Sequence, residues 1–137
     1  MILVSACLVG INCKYSGENN DAESVHQFLE GQVYVPVCPE QLGGLPTPRP
    51  TCEIVGAQVM DENGLDCTAS FVKGAEEVLK IAELLNVKKA ILKEGSPSCG
   101  CNLIYDGTFS GVKINGEGIT AKLLKKHGIP VMSEKEL

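Results

Sequence analysis

Tryptophan is absent from this 137-residue chain, and aromatic residues make up only 4% of it. The core must therefore rest on Val, Ile, Leu and Ala, the residues of strands and helices packed in layers, which favours an α/β architecture. No stretch approaches the roughly 18 consecutive apolar residues of a membrane span. The apolar opening has no basic segment before it and no small-residue cleavage site after it, so the expectation is a cytoplasmic protein without a membrane partner. An excess of positive charge is missing too. A formal charge of -5 and a pI near 5.0 offer no global attraction to a phosphate backbone, and a polynucleotide partner is not expected. The basic pairs Lys88-Lys89 and Lys125-Lys126 fall at expected helix ends, where cations meet the helix dipole. Also lacking are a Cys-x-x-Cys pair and a Gly-x-Gly-x-x-Gly run, which removes the knuckle of zinc ribbons, the thioredoxin-like redox motif and the dinucleotide fingerprint.

What the chain does have is cysteine, seven of them. In a reducing compartment that number points to metal binding or chemistry rather than to a disulfide framework. Their positions follow a pattern. The apolar run Ile2 to Ala6 reads as a buried strand and leads into Cys7; the β-rich segment Val33 to Val37 leads into Cys38, with Pro36 placing it near a sheet edge or its own end. A third strand over Lys89 to Leu92 runs into loop chemistry ending at Cys99-Gly100.

Between the strands, Asn20 with Glu23 resembles a capping box for a short helix through Val25, Phe28 and Leu29 that Gly31 stops. Four prolines and two adjacent glycines make residues 39–50 a stiff loop without regular structure. Asp61-Glu62-Asn63-Gly64 reads as the turn of a small β-hairpin inserted between core elements. Apolar positions from Val72 to Leu85, mostly three apart, mark an amphipathic helix over Ala69 to Leu85. A last helix covers Glu117 to His127, and Ile129 to Met132 is a final strand. Alternating strands and helices imply one Rossmann-like layered domain over residues 1–137, with a short, mainly parallel sheet whose strands end on one rim. Cys7, Cys38 and Cys99 are expected to converge there.

Three converging thiolates could hold zinc, an iron-sulfur cluster or a redox pair, and ligands spread over three strand ends suit a larger inorganic group. A cubane cluster normally takes four thiolates, so three would leave one iron open to an outside atom. Iron is thiophilic, and an open iron could bind an exocyclic sulfur and polarise its carbon toward water.

Ser5-Ala6-Cys7-Leu8-Val9-Gly10, Pro36 to Arg49 with its Cys38-Pro39-Glu40, and Ser96-Pro97-Ser98-Cys99-Gly100 with Ile104 to Phe109 resemble the thiouracil desulfidase family over nearly the whole chain. The resemblance implies a [4Fe-4S] cluster on Cys7, Cys38 and Cys99, with Glu40 and Ser96 as acid-base and positioning residues. It also implies hydrolytic desulfuration of a thiolated pyrimidine, 4-thiouracil or a related base or nucleoside, that releases hydrosulfide. Lys14-Tyr15-Ser16-Gly17 departs from the family's Arg-Tyr-Asp-Gly, so substrate preference can differ. Cys13 is an alternative ligand that would close the site, and Cys101 lies near enough in sequence to Cys99 to be another. A closed or non-hydrolytic cluster protein, storing or delivering sulfide or sensing redox state, is the competing expectation.

Overall fold

The computed structural model describes residues 1–137. Four parallel strands form the central sheet: β1 (Ile2–Ser5), β2 (Tyr34–Val37), β5 (Lys89–Leu92) and β8 (Val131–Ser133), in the order β2-β1-β5-β8. Leu3 pairs with Val35 and Ala90, which fixes the register of the middle strand against both neighbours. Pro36 lies on β2, at the sheet edge, as its missing N–H requires.

The pleat divides the core. Leu3, Ala90 and Leu92 point to one face and pack with Val78, Ala82, Ala121 and Leu124 of helices α3 (Thr68–Leu84) and α4 (Ile119–Lys126). Ile2, Val4 and Ile91 point to the other and pack with Val25 and Leu29 of α1 (Glu23–Leu29). The result is the layered α/β fold with a parallel sheet that the alternating pattern implies. No helix is long and apolar enough to cross a membrane.

Several local features differ from the sequence reading. Helix α1 begins after Ala22 with no side-chain cap, so Asn20 and Glu23 form no capping box; Asn20 instead donates its backbone amide to the Cys7 carbonyl at 2.9 Å. The proline-rich stretch opens with a one-turn helix, α2 (Pro39–Leu42), because Pro39 occupies a first-turn position where no N–H is needed. The inserted hairpin pairs β3 (Cys52–Val55) with β4 (Gln58–Asp61) through Gly56-Ala57, and the chain reverses a second time at residues 61–64, as expected, where Met60 bridges Asp66 antiparallel. Asp61 shapes that second turn: its carboxylate accepts the amides of Asn63 and Leu65, and its own amide donates to the Leu65 carbonyl. A second hairpin, β6 (Leu103–Tyr105) with β7 (Lys113–Asn115), had no counterpart in the sequence reading.

Helices α2 and α3 cross at two glycines. A Cβ on Gly43 would run into the Ser70 carbonyl oxygen, and one on Gly74 into that of Pro39. This contact sets α2, and with it Cys38 and Glu40, directly on the long helix.

Candidate functional site

The carboxyl ends of β2, β1 and β5, three neighbours in the sheet, open onto a cavity of about 390 Å³. Cys7, Cys38, Cys99, Glu40 and Ser96 all line it, so the sequence-derived residues do converge. Cys7 sits in a 3-10 turn (Ala6–Val9) directly after β1, and Cys38 lies between β2 and α2. Cys99 arrives differently. Six residues separate it from the end of β5, and the loop is held from both sides. The first amides of α4, from Ile119, Thr120 and Ala121, donate to the carbonyls of Pro97 and Ser98, while Glu94 Oε1 accepts the amides of Cys101, Asn102 and Leu103 at 3.0 Å each. Uncapped helix donors and a buried carboxylate thus satisfy a loop that would otherwise leave its backbone unpaired.

All seven cysteines are free thiols. Cys13 also lines the cavity, and its carbonyl accepts from the Cys38 thiol at 3.7 Å. Hydrogen bonding from Cys13 is the main reason the Cys7 thiol is lowered to about 7 and that of Cys38 to about 6, against the opposing effect of burial. The two neighbouring cysteines and burial push the Cys13 thiol up in turn. Burial pushes Cys99 up to about 12. Cys101 lies outside the cavity, hydrogen-bonded to Glu94 at 3.7 Å, and does not join the set.

Spacing bears on what the sulfurs can hold. Zinc with ~2.3 Å bonds to sulfur would bring its ligand atoms to about 3.8 Å from one another. The one set of candidate ligand atoms within 4.8 Å of one another is Glu94, Cys101 and Glu136. Cys7, Cys38 and Cys99 are spread more widely than a single ion requires, and as soft thiol donors at three corners of a cavity they fit a polynuclear iron-sulfur group. The tighter trio does not read as a metal centre, because Glu94 spends both oxygens on the loop amides and on the Asn102 side chain.

Glu40 occupies the first turn of α2 and is held at both oxygens. Arg49 Nε donates to Oε1 at 3.0 Å, and Ser98 Oγ donates to Oε2 at 3.0 Å. The Arg49 side chain is 4% exposed. Its remaining donors reach the carbonyls of Pro46 and Cys13 and the Thr47 hydroxyl, which ties the cavity wall together. Ser96 Oγ accepts the amides of Ser98 and Cys99, both at 3.1 Å, and so turns its own proton to Ser98 Oγ at 2.9 Å. The hydroxyl that touches Glu40 is therefore that of Ser98, not Ser96. Sequence reasoning passed over Ser98, since only its meeting with a residue 58 positions away sets it apart.

Comparison with known proteins fits this geometry. The family described as 2-thiouracil desulfurase matches residues 2–136. The chain belongs to that family. An uncharacterized protein from Bacillus subtilis (strain 168), YbbK, is 45% identical over 147 residues that take in 100% of this chain and 97% of the relative. A solved structure of the [4Fe-4S]-dependent thiouracil desulfidase TudS superposes with a TM-score of 0.93 at 47% identity, covering 99% of this chain and 91% of the other. The fold of this desulfurase-family chain is thus also that of a solved iron-sulfur protein.

Proposed function

We propose that this chain removes the sulfur of a thiolated pyrimidine, 4-thiouracil or a related base or nucleoside, by hydrolysis, and that residues 1–137 work as one domain carrying a [4Fe-4S] cluster on Cys7, Cys38 and Cys99. The observation that carries the reading is the cavity where three free cysteines at neighbouring strand ends meet a carboxylate held between Arg49 and Ser98. Family membership and the likeness to TudS, named as a [4Fe-4S]-dependent thiouracil desulfidase, support it. The cytoplasm suits a chain that must keep seven thiols reduced.

Cys7, Cys38 and Cys99 would hold the cluster, which would supply thiophilic Lewis acidity at the exocyclic sulfur of the base. The protein supplies the rest. Glu40 takes a proton from water as the oxygen attacks the carbon bearing sulfur. Arg49 holds the carboxylate so that it faces the cavity in one orientation, and Ser96 and Ser98 form a hydroxyl chain along which that proton can move. The carbon–sulfur bond then breaks. Uracil and hydrosulfide leave, with no net oxidation or reduction.

One observation favours a second reading. Cys13 lies beside Cys7 and Cys38, and as a fourth ligand it would close the site and turn the chain into a sulfide carrier or redox sensor. Anaerobic reconstitution separates the two. The hydrolytic reading expects one uracil and one sulfide per thiouracil consumed, and full iron content in Cys13→Ser. Iron loss in Cys13→Ser, with no thiouracil consumed by the wild type, would establish the closed site instead.

A further inference from the structure

We propose that Glu53 is a specificity-determining residue that accepts a ring N–H of the substrate base on its Oε2, so that the site prefers pyrimidines whose ring nitrogens carry hydrogen; this rests on the desulfuration reading. Glu53 lies on β3, is only 8% exposed, and lines the same cavity as Cys7, Cys99 and Glu40. Its two oxygens have different surroundings. Oε1 accepts the amides of Gly107 at 3.0 Å and Phe109 at 3.1 Å, clasping the loop between β6 and β7 against β3. Oε2 makes no hydrogen bond to the protein, yet it is not sealed from solvent, for the one sealed polar side-chain atom without a partner is Thr120 Oγ1.

No protein cation answers it. Arg49 is committed to Glu40, Pro46, Thr47 and Cys13, and Lys93 to the Glu94 carbonyl and Glu134. A carboxylate oxygen accepts and does not donate, so the missing partner must bring a hydrogen. On a thiolated pyrimidine the oxygen and sulfur are acceptors, and the ring N–H groups are the donors. A buried acceptor built for such a donor rejects an analogue that lacks it, because the acceptor is then left dry and unpaired.

The test uses the anaerobic holoprotein and calorimetric titration with uracil, 1-methyluracil and 3-methyluracil, alongside KM and kcat for the matching thiouracils. In the wild type, methylation at one of the two nitrogens should weaken binding roughly tenfold to a hundredfold. Glu53→Gln keeps an amide oxygen for Gly107 and Phe109 but turns a donor to the cavity. Its uracil affinity should fall roughly tenfold, its KM should rise with kcat little changed, and its methylation penalty should shrink to less than about threefold. Equal methylation penalties in wild type and Glu53→Gln would overturn the proposal. So would a wild type indifferent to methylation at both positions, a result that needs no variant. A wild type that consumes no thiouracil would refute the parent reading, whereas turnover without N–H discrimination refutes this inference alone.

Discussion

Replacing Glu94 by glutamine should loosen the loop that carries Cys99. Glu94 Oε1 accepts three backbone amides and Oε2 accepts the Asn102 side-chain amide, all at 3.0 Å. Burial works to raise this carboxyl, but the hydrogen bonds outweigh it and hold the group at about 2 rather than 4.5. That difference corresponds to about 3 kcal/mol in favour of the ionised folded form. Because the folded value lies below the unfolded one, this stabilisation is fully present above pH 4.5 and is lost as pH falls toward 2. Glutamine keeps an acceptor oxygen but not the charge. Glu94→Gln should therefore cost about 2–3 kcal/mol at pH 7, roughly 7–10 °C in thermal midpoint for a chain of this length. Urea unfolding of the cluster-free wild type and variant at pH 7 and pH 3, with iron per chain after anaerobic reconstitution, measures both consequences. The gap should narrow at the lower pH, and the variant should hold less iron because Cys99 is less firmly placed. A variant as stable as the wild type at pH 7, or a gap that ignores pH, would refute the reasoning.

Further outcomes follow from the same geometry. Cys7→Ala, Cys38→Ala and Cys99→Ala should each lose most reconstituted iron while Cys101→Ala keeps it, and full iron in any of the first three would remove that residue from the ligand set. Arg49→Gln leaves Glu40 half-buried without its guanidinium and should cost about 3–5 kcal/mol in urea unfolding, together with most of the turnover; an unchanged unfolding midpoint would count against the clamp. Gly74→Ala drives a methyl group into the Pro39 carbonyl, so it should destabilise by about 2 kcal/mol or more and lower iron content through Cys38. In the cluster-free protein iodoacetamide should modify Cys7 and Cys38 with pH midpoints near 7 and 6, and Cys99, pushed up to about 12, far more slowly. Mass mapping that finds Cys99 modified first would contradict these environments.

The parallel sheet and the long helix were legible because their signals are local. Nearly continuous apolar residues mark β1 and β5, and apolar side chains three residues apart mark α3. The convergence of Cys7 and Cys38 then follows from topology alone, since both stand directly after parallel strands. The hairpin of β6 and β7 was not legible, because each strand has three residues and Lys113, Ile114 and Asn115 are all exposed, which leaves no alternation to read. The turn at Asp-Glu-Asn-Gly was legible from its residue types, whereas the earlier reversal at Gly56-Ala57 was not, because only those two residues mark it. Polar roles were least visible. Ser98, Glu53 and Glu94 acquire their meaning from partners 58, 54 and 7 residues away, and nothing in their own neighbourhoods announces it.

The adjacency of β2, β1 and β5 has a consequence for how the centre is loaded. Backbone ladders set the three strands about 4.8 Å apart, so the sheet fixes the places of Cys7 and Cys38, while Cys99 depends on the bonds of its own loop. Metal-dependent miniature domains must fold around their ion and lose binding energy to ordering the chain. Here the sheet bears that ordering for two of the three cysteines and leaves only the Cys99 loop to hold itself in place.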